Sequence, residues 1–79
     1  MNRIDTAAIV AALGGIDNIA VVEPCVTRLR FEVEDRTRVD LSQLQPPLCY
    51  GATAMGTAVQ VIVGPVAESV VDEIRDLGD

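Results

Sequence analysis

A cysteine followed at close range by two arginines is the arrangement in this sequence best suited to group-transfer chemistry. Cys25 leads directly into Val26, Thr27, Arg28, Leu29 and Arg30. The thiolate is the attacking form of cysteine, and a neighbouring guanidinium favours it while its planar donor fork matches phosphate oxygens. A turn at Val26 and Thr27 frees backbone N–H groups, and the Thr27 hydroxyl adds a donor, so both residues are candidate phosphate binders. The chain has no histidine, which removes imidazole bases, imidazole metal ligands and phosphohistidine together. Nucleophilic chemistry falls on Cys, Ser, Thr or a carboxylate, and no metal or organic cofactor is expected.

The same residues also fit a plainer account. A cysteine is often a small buried hydrophobe, and Arg alternating with Glu usually marks a solvated strand face. Glu23, two residues before the thiol, works against a thiolate unless its side chain points to water. Arg36 and Arg38 lie too far along the chain to join Cys25 on a straight strand, at about 3.3 Å per residue. Cys49 has no basic neighbour and follows Pro46-Pro47, which suggests a structural role. Gly51, Gly56 and Gly64 are spaced for turns rather than for a phosphate-cradling loop, and Met55 reads as core or hairpin packing.

The elements that must position Cys25 follow from the hydrophobic pattern. Asp5 and Thr6 cap a first helix over 7–13, stopped by Gly14-Gly15. Ile19 to Val22 reads as strand one, ended by Glu23-Pro24. Over 27–34, Leu29, Phe31 and Val33 share one face of strand two, and Arg28, Arg30, Glu32 and Glu34 the other. The arginines therefore project about 6.7 Å apart on the solvent side. Asp40 caps a helical turn in which Leu41 and Leu44 share a face until Pro46-Pro47. Two further strands, 51–55 and 58–63, form a hairpin around Gly56-Thr57. A last helix starts at Gly64-Pro65, with Val66, Val70, Ile74 and Leu77 as its apolar stripe. The expected fold is α+β: a four-stranded, largely antiparallel sheet with three helices on one face, a split α/β sandwich.

Composition narrows the partners. Seventy-nine residues make one domain with one core, spanning 1–79. Twelve acidic residues against six basic, with a formal charge of −6, argue against nucleic acid. No apolar run reaches the roughly 18 residues of a membrane span, and the amino terminus lacks a signal-peptide pattern. A soluble, cytoplasmic chain is expected, with Cys25 and Cys49 as free thiols.

The stretches Asn18-Ile19, Cys25-Val26-Thr27-Arg28-Leu29-Arg30, Val39-Asp40 and Val59-Gln60-Val61-Ile62-Val63-Gly64 resemble the IIB domains of the glucose branch of sugar phosphotransferase systems. The resemblance runs from about Leu13 to Ile74. It implies a phosphocysteine carrier in which a IIA protein donates phosphate from its phosphohistidine to Cys25. The membrane-embedded IIC protein would present the sugar and hold the carrier at the inner face of the membrane. Arg28, Arg30 and Thr27 match the family's residues after the cysteine. Glu23-Pro24 resembles the N-acetylglucosamine sub-branch, so glucose or an amino sugar is the implied substrate. The chain departs from the family at Pro47-Leu48-Cys49-Tyr50 and at Ala52-Thr53-Ala54. Two other readings compete: a cysteine-based anion-loop enzyme of phosphatase or sulfurtransferase type, in which Cys25 and Arg30 would flank a loop leading into a helix, and a non-catalytic regulatory module of the same fold.

Overall fold

The computed structural model describes residues 4–78, in which two helices and four strands enclose one core. Helix α1 (Thr6–Ala12) begins where the Asp5 carboxylate accepts from the Ala8 N–H at 3.1 Å. It ends ahead of Gly14, whose φ of 102° suits glycine; a Cβ there would sit 2.7 Å from Asn18 Nδ2. A short 3-10 turn, Ile16–Asn18, feeds strand β1 (Ile19–Cys25). Strand β2 (Arg28–Val33) returns through Val26-Thr27, then β3 (Gly51–Met55) and β4 (Ala58–Ile62) form the second hairpin, and helix α2 (Ala67–Gly78) closes the fold. All pairings are antiparallel, in the order β1-β2-β4-β3.

Alternation along the two central strands divides the sheet into a dry face and a wet one. Leu29, Phe31, Val59 and Val61 are fully buried and pack with Ile9 of α1, with Leu13 at its C-cap, and with Val70, Val71 and Ile74 of α2. Burying each such side chain contributes roughly 1.5–3 kcal/mol. The expected division of strand two is therefore observed, and the helices cover one face only. On the other face Arg28, Arg30 and Gln60 stand exposed. Among the described residues, no helix is long and apolar enough to cross a membrane.

Four expectations need correction. The third helix is absent: residues 41–50 form successive turns, as Leu44 N–H bonds Leu41 O at 3.1 Å and Leu48 N–H bonds Gln45 O at 2.9 Å. The Asp40 carboxylate takes the Ser42 N–H and hydroxyl, offering the chain a local alternative to helix, and Pro46 and Pro47 supply no donors. Strand β1 does not stop at Glu23-Pro24 but continues to Cys25. It lies at the sheet edge, where a proline lacking N–H is tolerated if its nitrogen faces away from the ladder. Helix α2 buries Ala67, Val70, Val71 and Ile74, while Val66 and Leu77 are exposed; Pro65 and Val66 belong to the preceding turn. Met55, at the tip of the second hairpin, is 84 % exposed rather than packed.

Candidate functional site

Cys25 is the last residue of the edge strand and is exposed. Its cross-strand partner is Arg28, so the thiol and that guanidinium leave the same face of the sheet. Glu23 pairs with Arg30, and Arg30 on its other side with Gln60. Five polar or reactive side chains, Glu23, Cys25, Arg28, Arg30 and Gln60, thus share one open patch. Strand alternation places the first four there, and strand order brings Gln60 beside them.

The two-residue turn that presents Cys25 is strained. Val26 has φ +34°, making it the one non-glycine residue with positive φ among those described, and its side chain is 87 % exposed. A β-branched residue disfavours this region sterically, so something must hold it there. The Thr27 carbonyl accepts from both Val63 N–H and Gly64 N–H at 3.0 Å, fixing the turn to the link between β4 and α2. Gly64 makes this approach with φ 79° and the Tyr50 ring directly behind it. A cleft of 240 Å³ separates Pro24 and Val26 from residues 65–69. At the opposite end of the hairpin the buried Asn18 side chain donates to Leu13 O at 2.7 Å and Asp35 O at 3.0 Å, and accepts from Asp35 N–H at 2.9 Å.

The arginines are not idle. Arg28 Nη1 donates to Gln60 Oε1 at 3.2 Å, and Arg30 Nη1 makes an ion pair with Glu23 Oε1 at 2.8 Å. Sequence pattern offers Glu23 as a strand end, as part of the family resemblance and as an obstacle to the thiolate, but not as a partner of Arg30, and it gives Gln60 no chemical role. The available signal for Gln60 was its place as the single polar residue between inward-facing Val59 and Val61. Arg36 donates to Val39 O, and Arg38 contacts Asp17 and Gly14 O, so neither joins the patch. Cys49 is buried, with Sγ 3.6 Å from Gly51 O, and burial pushes its thiol above the ordinary value. A hollow of 330 Å³ beside Cys49 and Tyr50 contains none of the expected site residues. Among the described residues, no cluster of three Cys, Asp or Glu is placed to hold a metal ion.

Fold and site together define a small α+β domain that offers one exposed thiol beside an arginine pair on an uncovered sheet. Known proteins give that description a family. A family model described as "phosphotransferase system, EIIB" matches residues 7–40. The chain is 48 % identical over 69 residues to the PTS system N-acetylglucosamine-specific EIIB component of Streptomyces coelicolor, covering 87 % of this chain and 90 % of that one. It is 39 % identical over 71 residues to the PTS system maltose-specific EIICB component of Escherichia coli, covering 89 % of this chain but only 13 % of that longer protein. A crystal structure of one domain of the PTS system IIabc component from Clostridium difficile superposes with a TM-score of 0.69 at 25 % identity, covering 91 % of this chain and 77 % of that one. The chain belongs to the EIIB family of the sugar phosphotransferase system.

Proposed function

We propose that this domain is a phosphocysteine carrier, loaded on Cys25 by a phosphorylated IIA protein and unloaded onto a sugar held by a membrane-embedded IIC protein. The observation that carries this reading is the exposed Cys25 at the end of β1, directly across from Arg28 and on the same face as Arg30. In loading, the N–P bond of the donor's phosphohistidine breaks as the S–P bond to Cys25 Sγ forms, and the thiol proton passes in net to the released imidazole. In unloading, the S–P bond breaks as an O–P bond to a sugar hydroxyl forms, and the hydroxyl proton returns in net to the thiol. Arg28 and Arg30 neutralise the equatorial oxygens, while Thr27 and the Val26 turn offer further donors. An amino sugar is the preferred substrate class, on the strength of the Streptomyces relative. Docking to IIC puts the domain at the inner membrane face. The anion-loop enzyme reading loses support because Leu29 continues into strand β2, leaving no helix N-terminus beneath the loop.

The test is intact mass after incubation with phosphorylated IIA. Cys25→Ser should accept no stable phosphoryl group, and Cys49→Ala should load fully; phosphate on Cys49 would sink the assignment. Arg28→Lys and Arg30→Lys keep the charge but lose the bidentate fork. Both should still load, and should transfer to sugar with IIC-containing membranes on the order of 10²-fold more slowly.

A further inference from the structure

The two arginines of the open face have unequal partners. Arg30 is held by a carboxylate, Glu23, at 2.8 Å, and Arg28 by a neutral amide, Gln60, at 3.2 Å. The carboxylate that β2 itself carries on this face, Glu32, accepts from the Thr57 hydroxyl at 3.0 Å near the far end of the strand. Glu23 precedes Cys25 by two residues on one strand, so their side chains leave the same face about 6.7 Å apart. A phosphoryl group on Cys25 brings nearly two negative charges into this patch. It must then compete with Glu23 for Arg30 while being repelled by the same carboxylate. Taking Arg28 from Gln60 leaves behind only an amide, which water satisfies.

We propose that Glu23 is a positioning residue that keeps the phosphoryl group on Cys25 loosely held, by retaining Arg30 in the resting phosphocysteine and releasing it as the S–P bond lengthens. This rests on the phosphocarrier reading above. The physical need is that of any carrier: full neutralisation by both arginines in the resting state would stabilise the phosphocysteine and the transition state alike, and so would not speed unloading. A carboxylate competing for one arginine weakens the resting interaction selectively. The bonds made and broken are those of loading and unloading already given, and Glu23 exchanges no proton or phosphoryl group.

The experiment equilibrates the chain with a fixed ratio of phosphorylated and unphosphorylated IIA and reads the loaded fraction by intact mass. Glu23→Gln, which keeps a hydrogen-bond acceptor but not the charge, should raise the loading equilibrium constant about three- to tenfold at low ionic strength, the scale of a charge acting across this distance near solvent. The gain should fade toward none in about 1 M salt, where such interactions are screened. Glu23→Asp should stay near the unaltered chain. Gln60→Glu, which sets a carboxylate against Arg28, should lower the constant by a similar factor. Pre-loaded Glu23→Gln should pass its phosphoryl group to sugar more slowly than the unaltered phosphoprotein. If Cys25 loads normally and Glu23→Gln leaves both the equilibrium and the unloading rate unchanged, the inference is overturned and the ion pair belongs to the surface alone. If the unaltered chain takes no phosphoryl group on Cys25, the phosphocarrier reading itself fails first.

Discussion

Hairpins β1–β2 and β3–β4 each turn in two residues, Val26-Thr27 and Gly56-Thr57, and each has positive φ at the first of them, +34° and +59°. In both, the threonine carbonyl is tied to the end of the other hairpin's central strand: Thr57 O accepts from N–H of Val33, the last residue of β2, and Thr27 O from N–H of Val63, the residue just after β4, each at 3.0 Å. The plan is shared, but the residues differ at the first turn, beside Cys25. The second hairpin uses glycine, which takes positive φ at little steric cost. The first uses a β-branched valine beside Cys25, and its threonine carbonyl accepts a second bond from Gly64 N–H at 3.0 Å. Its open end is also pinned by the buried Asn18 amide, whereas the second hairpin's open end has Tyr50 N–H bonded to Ile62 O at 2.9 Å. The strained turn is thus the better restrained one, which is what the proposed carrier role of Cys25 requires of it.

Removing the restraint should have the largest effect. Asn18→Ala unpairs Asp35 N–H and Leu13 O at a buried site and should cost about 2–4 kcal/mol in denaturant unfolding, with the loss of order greatest at the open end of β1–β2. A cost below about 0.5 kcal/mol, the range of an ordinary surface change, would show that the first hairpin is not specially pinned. Transferring the strain is the next test. Gly56→Val gives the second hairpin the first one's turn residue without its extra bond, and should cost about 1–3 kcal/mol. An equal stability to the parent would mean that positive φ is not strained in this turn.

Val26→Gly relieves the strain at Cys25 but adds freedom to the unfolded chain, so the two nearly cancel and stability should change by less than about 1 kcal/mol. The sharper readout is amide exchange at Thr27 and Arg28, which should speed up as the turn loosens. The smallest effect concerns the second thiol. Burial raises the Cys49 value in the folded state, so its protonated form contributes stability below the ordinary thiol value of 9.0, and that contribution is lost as pH rises toward and through the raised value. Cys49→Ala should remove this alkaline loss from a stability-against-pH curve, while Cys25→Ser should leave it in place.

Local pattern was enough to specify much of this protein. Alternation in 28–33 fixes which side chains are buried and puts Arg28 and Arg30 on one wet face, because a strand's period of two is a property of its own backbone. Gly56-Thr57 between apolar runs specifies the second hairpin, and the run from Cys25 to Arg30 carries both the proposed phosphoryl acceptor and the family resemblance. What the arginines touch was decided only by the tertiary structure. The order β1-β2-β4-β3 sets Gln60 beside Arg28 from 32 residues away, and the pairing of β1 with β2 sets Glu23 against Arg30. The burial of Asn18, the continuation of β1 through Pro24 and the failure of 41–50 to form a helix have the same origin. Each depends on where a hydrogen-bonding group finds its partner, and for a buried amide, an edge-strand proline or an exposed guanidinium that partner is supplied by chain packing, which residue spacing does not encode.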